Sequence, residues 1–93
     1  MNDPAIKKRI TRARRLAAEA LAVAGYGVIE TQGEPFTVIG VRPSEARFIR
    51  IVINAKGTPE AMKACKAVSV PGNCSRELWT LDGQGKRFQI TNL

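Results

Sequence analysis

Residues 47–57 read RFIRIVINAKG, and this run decides the fold. With a side-chain period of two it is a strand, placing Ile49, Ile51 and Ile53 on one face and Phe48, Arg50, Val52, Asn54 and Lys56 on the other. It closes on a lysine followed by Gly57. Such an ending is either a strand end kept soluble by a lysine or part of a site, and the surrounding sequence bears on the choice.

Upstream of this run, period-two patterning predicts two shorter strands, Tyr26 to Thr31 and Phe36 to Val41, with Gly33 in the turn between them. Pro43, Ser44 and Glu45 form a loop before the third strand. Downstream, Thr58 followed by Pro59 is a cap-plus-proline signal, so a second helix is expected from about Pro59 to Ala67. Val70, Pro71, Gly72 and Asn73 break the chain. The last stretch, ELWTLDGQGKRFQITNL, reads as a hairpin around Asp82-Gly83-Gln84-Gly85.

The chain opens with NDPAIKKRITRARRLAAEALAVAG. Asp3 can cap a helix, Pro4 suits its first position and Gly25 its stop. Ile6, Ile10, Ala13, Ala17, Ala20 and Ala24 recur at helical spacing, with Leu16, Leu21 and Val23 widening the apolar stripe. Lys7, Lys8, Arg9, Arg12, Arg14 and Arg15 put six cations into nine residues. Like charges crowded this way repel one another and are relieved when phosphates neutralise them. A membrane-surface helix fits less well, because the stripe lacks Trp and Phe to seat it in an interface.

The expected fold is therefore a single α/β domain over residues 1–93, ordered helix, three strands, helix, two strands. A domain of this size buries only somewhat more than about 60% of its unfolded surface, which leaves room for a homodimer or another partner to add stability. A net charge of +7 and a pI near 10.1 suit a polyanionic partner. No histidine is present. That excludes His-based general-base catalysis, Cys/His nucleophile pairs and mixed Cys/His zinc sites. Cys65 and Cys74 read as two free thiols, with a disulfide as the second reading. Lys and Arg interrupt every N-terminal apolar run, so neither a signal peptide nor a membrane span is expected, and the default setting is cytoplasmic.

A helix with an Ala-Glu step, then GYGV, then GEPFTVIGV, then an apolar strand ending in NAKG resembles the PD-(D/E)XK nuclease superfamily, especially the small Holliday junction resolvases. The resemblance covers roughly residues 12–57 and rests on pattern and order. It implies a restriction-endonuclease-like fold, a mixed central sheet flanked by helices, with DNA as the favoured partner. It also implies a site built from a helix glutamate, a second-strand aspartate and a third-strand Glu-x-Lys pair. Carried over position by position, the helix acid falls on Glu19, the aspartate position on Thr37, the third-strand acid on Asn54 and its lysine on Lys56.

Magnesium prefers carboxylates, and phosphodiester hydrolysis needs it to polarise the phosphoryl group and activate water. Thr37 and Asn54 offer only neutral oxygens, so the resemblance points to a pseudoenzyme without a metal cofactor. Lys56 and Glu19 would be vestiges of catalysis, although Glu19 could equally pair with Arg15 at the surface. Nucleic acid would be held by Lys7, Lys8, Arg9, Arg12, Arg14, Arg15 and Lys56.

Three other readings stay open. The fold could serve as a small protein-interaction or structural module whose charge meets an acidic protein. It could be an active magnesium-dependent nuclease with relocated acids, drawing on Glu19, Glu34 and Lys56, though Glu34 stands three residues before Thr37 and so roughly 10 Å along a strand and on the opposite face. Or it could be a double-stranded RNA-binding domain, which shares the first five elements and lacks the closing hairpin. Trp79, Phe36, Phe48 and Phe88 read as core residues. Arg47, Arg50, Lys63, Lys66, Lys86 and Arg87 read as scattered charge.

Overall fold

The computed structural model describes residues 4–31, 35–53, 58–83 and 85–93. Asp3, Gly33, Glu34, Asn54, Lys56 and Gln84 lie outside these segments, and with them the expected first cap, the first hairpin turn and the NAKG strand end.

Helix α1 spans Pro4–Val23. It opens on a proline, whose fixed φ and missing N–H suit a first turn. It closes at Gly25, where φ is 90°. There Tyr26 N donates to Leu21 O and Gly25 N to Ala22 O, both at 3.0 Å. This is a Schellman closure, and it needs the left-handed residue that glycine supplies. The chain then passes through β1 (Gly27–Glu30), β2 (Val38–Arg42), β3 (Glu45–Val52), α2 (Thr58–Lys66), β4 (Cys74–Leu81) and β5 (Phe88–Asn92).

The five strands form one mixed sheet in the order β1-β2-β3-β4-β5. Only β3 and β4 run parallel, which requires a crossover, and α2 provides it. Alternation along the strands then sorts side chains between two faces. Val38 stands opposite Ile49, and Ile51 opposite Trp79. On that face Ala17 and Leu21 of α1 complete a cluster with Val38, Ile49 and Trp79, edged by Tyr26, Val28, Ile51 and Phe88. On the other face Ala61 of α2 packs with Val52 and Leu78. With one helix on each face, the protein is a single compact α/β domain in three layers.

The element order agrees with the sequence reading, and the boundaries shift. β2 starts at Val38, two residues late, although Thr37 N already donates to Ile49 O at 2.8 Å. The loop before β3 shrinks to Pro43 and Ser44, because Arg42 Nη1 reaches across the turn to Glu45 Oε1 at 3.0 Å and draws Glu45 into the strand. α2 runs one residue earlier at each end than expected. Both cysteines are free thiols. Trp79 and Phe36 are buried, while Phe48 and Phe88 are half-buried, Phe48 edge-on to Phe36 and Phe88 tilted against Trp79.

The approach of α1 to the sheet is set at Gly40. A Cβ there would sit 3.0 Å from Leu21 Cδ2 and 3.4 Å from a ring carbon of Tyr26. Leu21 is fully buried and has little room to yield. Gly40→Val should therefore destabilise the fold by about 2 kcal/mol despite the better strand propensity of valine. Urea unfolding checks it; a variant as stable as the wild type would mean that α1 has slack above β2.

Candidate functional site

The burial of Ala13, Ala17 and Leu21 fixes the rotation of α1. At about 100° per residue, Lys8, Arg12 and Arg15 then fall near the opposite, outward side. Lys7, Lys8, Arg9, Arg12 and Arg15 are exposed, and Arg14 is half-buried at the flank. Lys7, Lys8, Thr11, Arg12 and Arg15 line an open depression of ≈ 280 Å³. None of the six cations pairs with a carboxylate among the described residues. Buried Arg14 Nε has no hydrogen-bond partner among them.

The arginines of the sheet are disposed quite differently. Arg42 bonds to Glu45 and to Ala24 O at the end of α1, with its guanidinium 4.0 Å from the centre of the Tyr26 ring. Arg50 Nη1 donates to Pro35 O at 3.2 Å. Arg76 Nη1 donates to Lys66 O and Val68 O at 2.8 and 2.9 Å, and so satisfies carbonyls at the C-terminus of α2. Arg47 is held by Glu77. Of the charge that looks scattered in sequence, Arg47 and Arg50 are engaged inside the fold while Lys63, Lys66, Lys86 and Arg87 are exposed and dispersed, so the outer side of α1 carries the concentrated set of cations.

That set adjoins one end of the sheet. Arg9 Nη2 donates to Ile53 O at 3.4 Å, tying the basic half of the helix to the exit of β3. Thr37 lies at the same end: Ile51 N donates to Thr37 Oγ1 at 3.4 Å, and the residue is buried. Its hydroxyl is therefore engaged with the backbone of β3. Asn54 and Lys56, which follow Ile53, lie outside the described residues, as does Glu34.

Glu19 does not join Thr37. It follows buried Ala17 by two residues, a turn of about 200°, and is exposed on the outer side of α1. No ion pair to Arg15 forms. Among the described residues no three of Cys, Asp and Glu gather into a metal-ligand cluster. A buried hydroxyl bonded to backbone and a carboxylate facing solvent do not fit the oxygen shell of a magnesium ion.

Sequence reasoning overlooked Glu77. Only 3% exposed, it lies on the α1 face of β4. Arg47 Nε and Nη2 donate to its two oxygens at 2.8 and 2.6 Å, Ser75 Oγ at 2.6 Å and Trp79 Nε1 at 3.0 Å. Burial pushes the carboxyl up, but the hydrogen bonds from Arg47, Ser75 and Trp79 and the Arg47 charge outweigh it and hold the group below its ordinary value of 4.5. The same bond with Glu77 raises Arg47 above its ordinary value against a smaller opposing effect of burial. A period-two reading puts Ser75, Glu77 and Trp79 on one face of β4, which was the available signal. The partner strand was not legible.

No family model, curated protein or solved structure matches this chain.

Removing Arg47 leaves a buried carboxylate without its countercharge, so Arg47→Ala should cost roughly 3 kcal/mol. Because the folded carboxyl titrates below the unfolded one, the unfolded chain binds more protons on the acid side. The contribution of Glu77 is then complete above about pH 4.5 and lost as pH falls through the folded value. Urea midpoints of wild type and Arg47→Ala between pH 7 and pH 3 check both statements. A cost below about 1 kcal/mol would assign the pair a minor role.

Proposed function

We propose that this chain is a nucleic-acid-binding domain on a restriction-endonuclease-like fold, a relative of the PD-(D/E)XK nucleases that has lost its metal-binding carboxylates. The carrying observation is the outer side of α1: five of the six cations are exposed on one helix and none of the six has a carboxylate partner among the described residues, while the sheet arginines are engaged internally. Phosphate is the partner such a surface relieves itself on, because each neutralised phosphate releases condensed counterions.

Two features support the nuclease-like ancestry. The α-β-β-β-α-β-β order with a mixed sheet between two helices is the arrangement the sequence resemblance implies. The basic half of α1 also adjoins the exit of β3, where the resemblance puts the old cleft. Thr37 offers a hydroxyl occupied by backbone where that site needs an acid, so binding survives and cleavage does not. Lys56 then serves as a further phosphate contact, a point charge without a metal to assist.

Fluorescence anisotropy with labelled DNA at 50 mM salt is the test. Binding should weaken steeply with salt and show little base preference. A variant carrying Lys7→Gln, Lys8→Gln, Arg12→Gln and Arg15→Gln should bind at least about tenfold more weakly while unfolding normally, since these side chains are exposed. Supercoiled plasmid with magnesium or manganese should stay intact. Absence of binding at low salt would sink the proposal, and cleavage abolished by Lys56→Ala would restore the enzyme. A stoichiometric acidic protein partner that survives nuclease treatment would reassign the surface.

A further inference from the structure

Resting on the nucleic-acid reading above, we infer that the outer side of α1 grips the two phosphate walls of a B-form major groove, so that duplex DNA is its target in preference to single strands or double-stranded RNA.

The first argument is where the aromatic side chains go. Sequence-tolerant binding of single strands relies on aromatic platforms on which bases stack. This chain has five aromatics, one Trp, one Tyr and three Phe. Phe36 and Phe48 meet edge to face with centroids 5.4 Å apart, and Trp79 and Phe88 meet at 5.2 Å. Tyr26 has Arg42 over its ring and donates its hydroxyl to Glu45. Each ring has an internal partner, with Tyr26, Phe48 and Phe88 half-buried, and none lies on α1. The charged side of α1 has cations for a backbone and no ring beside them for an unstacked base.

The second argument is the shape of the charged surface. An α-helix with its side chains is about 10–12 Å across, and the B-form major groove is about 12 Å wide. Lys7 and Arg12 diverge by about 140° around the axis, with Lys8 and Arg15 between them. Laid in a groove, such a fan meets phosphate on both walls. From Lys7 to Arg15 the helix advances about 12 Å, and a duplex presents one charge per roughly 1.7 Å of axis. A single strand presents about half that density. A-form RNA closes its major groove to side chains, so the same helix can touch only one wall. Thr11 is the sole uncharged polar side chain within the fan, which leaves few groups to read base edges.

Glu19 marks where the contact ends. It lies on the same outward arc one turn beyond Arg15 and is exposed. A carboxylate there repels phosphate, which confines the grip to the N-terminal half of the helix.

One 20-base-pair sequence prepared as DNA duplex, single-stranded DNA and RNA duplex tests this by anisotropy at 50 and 150 mM salt. The DNA duplex should bind at least about tenfold more tightly than either of the others. Glu19→Lys should tighten duplex binding and steepen its salt slope by about one phosphate contact. Methyl green, a major-groove ligand, should compete; netropsin, a minor-groove ligand, should not. Equal or tighter binding of the single strand, equal binding of the RNA duplex, or displacement by netropsin alone would overturn the groove assignment while leaving nucleic-acid binding intact. No binding to any of the three would instead remove the reading beneath it.

Discussion

The seating of α1 on the sheet is the contact from which most else follows. Ala13, Ala17 and Leu21 are fully buried, and the missing side chain at Gly40 lets Leu21 come close to β2. Burying one side of a helix fixes the direction of the other. Once Ala17 and Leu21 face Val38 and Ile49, Lys7, Lys8, Arg9, Arg12 and Arg15 are exposed with no ion pair among the described residues. The same interaction that stabilises the core thus generates the charged surface. A helix of this composition in isolation would gain nothing from such crowding.

The fold divides its positive charge between two uses. Arg42, Arg47, Arg50 and Arg76 come from strands and bind carboxylates or backbone oxygens close to the sheet. Arg47 is the most committed, because Glu77 is buried and needs a charged, bidentate donor to stay ionised there. Placing Trp79 in the same network secures its indole N–H, so the largest aromatic enters the core without an orphaned donor. The cations of α1, by contrast, make one hydrogen bond across to the sheet among the described residues, from Arg9 to Ile53 O. Arginine count alone would not separate these roles.

Two of the positions onto which the nuclease resemblance carries acidic ligands have a different character in the structure. Thr37 is drawn into the pairing between β2 and β3, accepting from Ile51 N where an acid would present two free oxygens. Glu19 has turned outward. Neither residue brings a carboxylate to that end of the sheet, which the basic half of α1 adjoins through Arg9.

The sequence by itself determined the element order, the period-two faces of β3, the glycine-terminated basic helix and the core assignment of Trp79, because each is a local pattern set by backbone geometry. The starts of β2 and β3 moved by two residues, since cross-strand bonds such as Thr37 N to Ile49 O and the Arg42–Glu45 pair decide where pairing begins, and β3 closes at Val52, before Ile53 and the expected lysine end. Only the tertiary structure decided which cations are spent and which are available. Arg47 and Glu77 stand thirty positions apart in sequence and meet because α2 carries β4 back parallel to β3. Partners that distant depend on strand order and register, which side-chain spacing along one strand does not encode.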